Sequence, residues 1–346
     1  MKRKALIIGG TGTISLSVVR LLAANPEWEI WVLNRGMHSV PMPKEIHFIK
    51  ADIHNEEDVC NKLQGMRFDS VCEFIGFTLQ DVERDFRMFS GRTDQYIFTS
   101  SASAYHKPAA NYLVNEGTSL ANPYWQYARD KIACESFLMQ KFRDSSFPVT
   151  IVRPSHTYDE RKIPIGVHGK NGSWQVVRRM LDGKPVIIQG DGSSLWTLTH
   201  SRDFAVGYTG LMGNPHAIGE AFQITGNETL TWNQIYASIA SALGIQLHAF
   251  HVSSDFLAAA GEPYGYDFSG SLIGDKSVSV VFDNSKLIKT VPAMHTSIRF
   301  DQGVRLCLDY IYSHPDECQA EDPDFDSWCN RVIQVIKAAK ASFQIF

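Results

Sequence analysis

Residues 5–15 read Ala-Leu-Ile-Ile-Gly-Gly-Thr-Gly-Thr-Ile-Ser. A short apolar run passes into a glycine-rich turn. A segment follows whose apolar residues Ile14, Val18, Leu21 and Leu22 share one helical face. Strand, glycine turn and helix in that order cradle a dinucleotide pyrophosphate. The glycines let the backbone turn tightly and approach phosphate oxygens, and the helix N-terminus presents N–H groups to them. Ser15 stands where the usual fingerprint has its third glycine, a position of close helix–strand packing that a small side chain suits.

The same alternation continues outward from this turn. Apolar runs at Ile30–Leu33, Ile46–Ile49, Ser70–Ile75, Gln95–Thr99 and Val149–Val152 read as strands, the last stopped by Arg153-Pro154. Between them, Leu79, Val82, Phe86 and Phe89 mark one amphipathic helix, and Trp125 to Arg143 forms a longer one. This pattern predicts α/β architecture: a Rossmann-type doubly wound parallel sheet over residues 1–160. Past residue 160 the alternation fades, and Gly and Pro crowd Pro164 to Gly192, as in an excursion that lines a pocket. Leu198–His200 and Phe222–Ile224 read as strands returning to the sheet, which assigns 190–226 to the first domain. Residues 161–189 and 227–325 are then a smaller mixed α/β substrate-binding part. Residues 326–346 form a C-terminal helix with Trp328, Val332, Val335, Ile336 and Ala339 on one face.

The 346 residues suit a nucleotide domain with a second part. A net charge of -4 lacks the clustered basic footprint of a nucleic-acid binder. Met1-Lys2-Arg3-Lys4 is basic like the start of a signal peptide, but the apolar stretch behind it breaks at Gly9-Gly10, so a first strand is expected. No run of about 18 apolar residues appears, so no membrane span is expected. The six cysteines lie far apart without a C-x-x-C pair, and Cys72 and Cys134 read as small core residues; the expectation is a reduced, cytoplasmic protein. The twelve histidines form no H-x-x-x-H pattern, so no metal is expected.

Strand two ends in Leu33-Asn34-Arg35-Gly36. An NAD-selective site carries a carboxylate here for the ribose 2′-hydroxyl; Arg35 instead suits a 2′-phosphate, so the cofactor is NAD or NADP with NADP favoured. Asp52, past strand three, either accepts from the adenine amino group or caps a helix. The expected cofactor set is Gly9, Thr11, Gly12, Thr13, Ile14, Asn34, Arg35, Asp52, Ile53, Ile75, Gly76, Tyr127, Lys131 and Pro154.

Tyr127-Ala-Arg-Asp-Lys131 sets a phenol and an ammonium one helical turn apart on one face. The ammonium favours the phenolate and so should lower the phenol's pKa. Tyr127 would exchange a proton with a substrate hydroxyl or carbonyl, and a serine from the 100–103 cluster would bind the same oxygen. Tyr124 is the rival phenol but has Ala128 four residues on.

Gly9-x-x-Gly12, the Ser101 region and Tyr127-x-x-x-Lys131 resemble the extended short-chain dehydrogenase/reductase family, in particular its NAD-dependent epimerase/dehydratase group acting on nucleotide sugars. Arg153-Pro154-Ser155-His156-Thr157-Tyr158, Gly190-Asp191-Gly192 with Thr199-His200-Ser201-Arg202-Asp203, and Thr225-Gly226-Asn227 are similar to later segments of that group. Ser15 and Arg35 also resemble its chloroplast stem-loop-binding branch. The resemblance implies that the catalytic serine, four positions before Tyr105, is Ser101, with Ser103 the runner-up. It implies a homodimer through the helices near 79–90 and 125–142. Family members usually have Gly after that tyrosine, where this chain has His106.

Sugar dehydratases of the group carry Asp-Glu directly after the catalytic hydroxyl residue, and sugar-acid decarboxylases carry Glu. Ala102 and Ser103 stand here, which argues against both reactions. The leading reading is a nucleotide-sugar epimerase that oxidises a sugar carbon and returns the hydride to the other face of the ketone. The alternative is an NADP-dependent reductase or dehydrogenase of a small carbonyl or alcohol. A third reading, an RNA-binding or scaffold protein, is opposed by the net charge and the intact Ser, Tyr and Lys set. Ser103 and Arg202 are the expected substrate contacts, Arg202 ahead of Arg161 and Arg178 as a bidentate diphosphate clamp. Trp125, Trp174 and Trp196 read as packing residues before sugar-stacking ones, and His156 and His200 as structural.

Overall fold

The computed structural model describes residues 2–37 and 40–343. Its first lobe is built from β1 (Arg3–Ile8), α1 (Ser15–Ala23), β2 (Trp28–Asn34), β3 (Ile46–Lys50), α2 (Glu56–Lys62), β4 (Ser70–Glu73), α3 (Leu79–Phe89), β5 (Tyr96–Thr99), β6 (Leu113–Val114), α4 (Gln126–Ser145) and β7 (Val149–Pro154). Then come β8 (His156–Tyr158), α5 (Trp174–Leu181), β9 (Val186–Gln189), β10 (Leu195–His200), α6 (Ser201–Leu211), β11 (Ala221–Ile224), β12 (Thr229–Thr231), α7 (Trp232–Leu243), β13 (Ala249–Val252) and α8 (Ser254–Gly261). A π-helix (Ser269–Lys276), β14 (Val281–Phe282), α9 (Ser285–Thr290), α10 (Phe300–Ser313), α11 (Pro315–Cys318) and α12 (Pro323–Ser342) complete the chain.

Seven parallel strands in the order β11-β7-β5-β4-β1-β2-β3 form the main sheet. The order reverses between β1 and β4, so the chain leaves β1 in opposite directions and opens a crevice at the strands' C-terminal ends, where such sheets bind ligands. One face is covered by α1 and α6, through Val18, Val19, Leu22, Phe204 and Tyr208. The other is covered by α2, α3 and α4, through Val59, Val82, Cys134 and Leu138. Cys72 and Cys134 are wholly buried, and all six cysteines are free thiols. The second lobe has its own core, in which Trp174, Trp232, Tyr236, Phe325 and Trp328 are buried. Among the described residues no helix is long and apolar enough to cross a membrane.

Two strand expectations change. The fourth strand stops at Glu73 rather than Ile75, because the Glu73 carboxylate accepts the Ile75 N–H and turns the chain. Phe222–Ile224 does join the sheet, beside β7. Leu198–His200 does not: β10 pairs with β8 and β12 in a separate three-stranded sheet. The cause is local. Pro154 ends β7 without an N–H to continue the ladder. The chain then swings out at Ser155, whose hydroxyl meets Thr199 Oγ1 at 3.1 Å. The helices α2 and α10 carry no expectation from the sequence; α2 is short and capped by Asn55, which accepts the Asp58 N–H.

Candidate functional site

The glycine turn is shaped by two side chains. Gly9 has φ +83°, and a Cβ there would sit 2.4 Å from Ile75 Cγ2, so only glycine fits. Ser15 Oγ donates to Gly9 O at 2.6 Å and accepts from Gly12 N at 2.9 Å. The serine therefore does more than fit its packing position: it pins the turn. The turn opens onto a groove of about 510 Å³ lined by Gly9, Thr11, Gly12, Thr13, Asn34, Arg35, Asp52, Ile53 and Ile75. Of the remaining expected cofactor residues, Ile14 caps the start of α1, Gly76 gives its carbonyl to Lys131, and Pro154 lines the neighbouring cavity. The groove fits a dinucleotide: a collision-free backbone cradle at a helix N-terminus, with cations at its edges.

At the far end of the groove, Asn34 Oδ1 accepts the Gly36 N–H and Asp52 Oδ1 accepts the His54 N–H, so both side chains shape their own turns. Asp52 is not the cap of α2; Asn55 is. Arg35 lies exposed on the rim. The Lys50 stem, which the sequence reading missed, passes Gly36, 3.5 Å from where a Cβ would stand, next to the residues that line the groove. Arg161 reaches the glycine turn from the second lobe's side. It donates to Thr11 O at 3.2 Å and is held by Asp159, with Nε to Oδ2 at 2.7 Å.

The catalytic candidates converge at the ends of β5 and α4. Ser101 accepts the Ser103 N–H in the turn after β5, and the two hydroxyls lie 2.8 Å apart. Lys131, wholly buried, donates to Gly76 O and Thr99 O, both at 2.7 Å, and its nitrogen lies 5.8 Å from the Tyr127 ring centre. Burial pushes the Lys131 ammonium down to about 8. Burial also holds the Tyr127 phenol above its ordinary value, and the Ser101 hydroxyl beside it opposes that rise. The expected lowering of Tyr127 by Lys131 is thus absent. The ammonium is spent on two carbonyls at the sheet edge, and desolvation of the phenol dominates.

Tyr127, Ser101 and Ser103 open into a cavity of about 290 Å³, also lined by Lys107, Trp125, Pro154, His156, Trp196, Asp275 and Lys276. Tyr124 is exposed and not among the lining residues. Trp196 Nε1 donates to His156 Nδ1 at 3.1 Å, and burial holds that imidazole well below its usual pKa, which leaves its single proton on Nε2. Burial pushes Lys107 and Lys276 down and Asp275 up. The π-helix packs directly on Trp125: a Cβ on Gly270 would lie 2.1 Å from Trp125 Cδ1. Asn122 clamps the two lobes by donating to Ser103 O and Gly274 O at 2.9 and 2.8 Å.

Several sequence expectations part from this geometry. Arg202 is exposed, paired with Glu160 and outside the cavity lining, because it points from the first turn of α6 toward the chain after β8. Arg178 pairs with Asp182 on the surface. Of the three arginines, Arg161 is the one at a ligand groove, beside the glycine turn. Trp125, Trp196 and His156 line the cavity rather than merely packing, whereas Trp174 belongs to the second core. Lys107, Asp275 and Lys276 were missed: Lys107 lies in a loop and the other two at the end of the π-helix, and neither segment carries a periodic apolar signal.

Comparison with known proteins gives the family and the fold. The family model described as NAD dependent epimerase/dehydratase family matches residues 5–225. The 2′-dehydrokanamycin reductase of Streptomyces kanamyceticus is 24% identical over 255 residues, covering 74% of this chain and 71% of that protein. In fold the chain is similar to a dTDP-glucose 4,6-dehydratase from Bacillus anthracis solved with NAD. The TM-score is 0.72 at 16% identity, over 91% of this chain and 98% of that one. It is also similar to a UDP-glucuronic acid 4-epimerase from Bacillus cereus solved with its UDP-sugar and NAD. There the TM-score is 0.70 at 18% identity, over 90% and 99% of the chains.

Proposed function

The chain belongs to the NAD-dependent epimerase/dehydratase family, and we propose that within it the protein is an NADP-preferring reductase or dehydrogenase of a small carbonyl or alcohol substrate. The observation that carries this choice is the cavity beside Tyr127: its charged lining is Lys107, Asp275 and Lys276, and no arginine is among the described lining residues. A nucleotide sugar needs its diphosphate gripped, and the three arginines weighed for that task lie elsewhere.

Gly9, Gly12 and Thr13 would hold the pyrophosphate, with Arg161 beside them, and Arg35 with Lys50 would face a 2′-phosphate. Bound there, the nicotinamide supplies or accepts the hydride. Ser101 holds the substrate oxygen, and Tyr127 gives its proton to that oxygen as negative charge develops. A phenol held above its ordinary value is protonated at neutral pH, which supports proton donation and hence reduction. Lys131 would reach the nicotinamide ribose from its anchor on Thr99 and Gly76. The epimerase expected from the sequence is the second reading, favoured by the small Ala102 and Ser103 beside Ser101. A homodimer through α3 and α4 and a reducing compartment belong to the proposal and are tested by sedimentation and localisation.

The deciding experiment is to denature freshly purified protein and identify released nucleotide by mass. An empty site that binds NADPH more tightly than NADH supports the reductase. Stoichiometric retained NAD rejects it in favour of internally recycling redox.

A further inference from the structure

We propose that the substrate is a polyhydroxylated ring carrying no nucleotide, one of whose hydroxyls bridges Lys107 and Asp275. The inference rests on the oxidoreductase reading of the cavity and adds what the cavity recognises.

Lys107 is 3% exposed and lines the cavity, and among the described residues its ammonium meets no hydrogen-bond acceptor of the protein. Its nearest carboxylate, Asp275 Oδ1, is 3.9 Å away, too far for a direct hydrogen bond. Asp275 likewise has no hydrogen-bond donor from the protein on its carboxylate. Both groups line the cavity, so the ammonium and the half-buried carboxylate are open to the polar groups of a ligand there. One hydroxyl oxygen about 2.8 Å from each group fits the gap, accepting from Lys107 and donating to Asp275. A carbonyl could serve the lysine alone and an ammonium the aspartate alone; a hydroxyl serves both.

The rest of the lining suits a ring. Trp125 and Trp196 offer flat apolar surface to the C–H face of a saccharide or cyclitol, with polar edges at Ser103 and His156. At about 290 Å³ the space lies at the small end of ligand cavities. Lys107 belongs to the first lobe, and Asp275 sits at the end of the π-helix in the second. A bridging hydroxyl therefore ties the lobes together across the cavity that holds Ser101 and Tyr127. It fixes one ring position while another meets the reacting groups.

The test is calorimetric titration of NADP-loaded protein with myo-inositol, D-glucose and D-galactose, and with UDP-glucose as the nucleotide-bearing control. At least one free ring should bind. Lys107→Met and Asp275→Asn should each weaken that binding by about tenfold to a hundredfold, the scale of a hydrogen bond to a charged group. Asp275→Glu should recover part of it. Unchanged melting temperature and NADPH affinity establish that the variants are folded. The inference is overturned if none of the free rings binds, if UDP-glucose binds while they do not, or if both variants bind the ring as the parent does. Absent hydride transfer with this binding pattern intact rejects the oxidoreductase reading alone. Intact turnover with binding indifferent to both variants rejects the bridging hydroxyl alone.

Discussion

Ser15 Oγ and the Gly9 carbonyl lie 2.6 Å apart, and through this bond the first turn of α1 holds the end of β1 in its phosphate-facing shape. The same oxygen accepts the Gly12 N–H at 2.9 Å. The side chain that replaces a fingerprint glycine is thus the internal brace of the loop.

Ser15→Ala should lower stability by about 1 kcal/mol and weaken NADPH binding several-fold, because two hydrogen bonds are lost at a wholly buried position. Thermal unfolding and a fluorescence titration check this. An unchanged melting temperature and dissociation constant would mean the glycines hold the turn unaided.

Tyr127→Phe should reduce turnover by about 10²–10⁴-fold, the usual share of a positioned acid. NADPH affinity should stay within twofold to threefold, since the groove is lined by other residues. A variant that keeps most of its rate would hand the proton transfer to another group.

The pH dependence follows from the raised phenol. Tyr127 donates a proton during reduction, so the phenol should leave the reductive rate flat through neutrality, and a decline that sets in near pH 8 should be that of the Lys131 ammonium, which burial pushes down to about 8. Steady-state rates in both directions from pH 6 to 10.5 give the answer. A reductive rate already falling near pH 7 would contradict a phenol held above its ordinary value.

Arg35→Ala should weaken NADPH by roughly tenfold or more and leave NADH nearly unchanged, as one charge-assisted contact to a phosphate is removed. Lys50, which passes Gly36, should show a smaller effect in the same direction. Equal losses for both nucleotides would place Arg35 on the adenine or the rim instead.

Arg153→Met should destabilise by about 3–5 kcal/mol, because it strands a buried carboxylate. Arg153 grips Glu135 at 3.0 and 2.6 Å, and Glu135 in turn accepts from Ser100 at 2.5 Å. Denaturant unfolding of the single and the Arg153→Met/Glu135→Gln double variant measures it. A double variant less stable than the single would deny that the stranded charge is the cause.

The first lobe was legible because its signals are local. The strand–glycine–helix order at 5–15, the apolar runs and the Tyr127–Lys131 spacing each lie within a dozen residues and report directly on burial and face. Where local signals conflicted with longer contacts, the reading slipped. Leu198–His200 has the right composition for the main sheet but pairs with β8 and β12 once Pro154 ends the ladder. Arg202 has the residue type of a diphosphate clamp, but its guanidinium pairs with Glu160.

By itself the sequence determined the doubly wound sheet, the nucleotide cradle and the Tyr127–Lys131 spacing, because periodicity and turn chemistry act over short separations; Ser101 was singled out of the 100–103 cluster only by the family resemblance. Only the tertiary structure decided what those residues face. Lys107 and Asp275 are separated by 168 positions and come within 3.9 Å because the π-helix packs onto Trp125 through Gly270. The raised phenol, the neutral imidazole of His156 and a lining of acid and lysine, without arginine among the described residues, all follow from that closure, since desolvation depends on what the two lobes bury together.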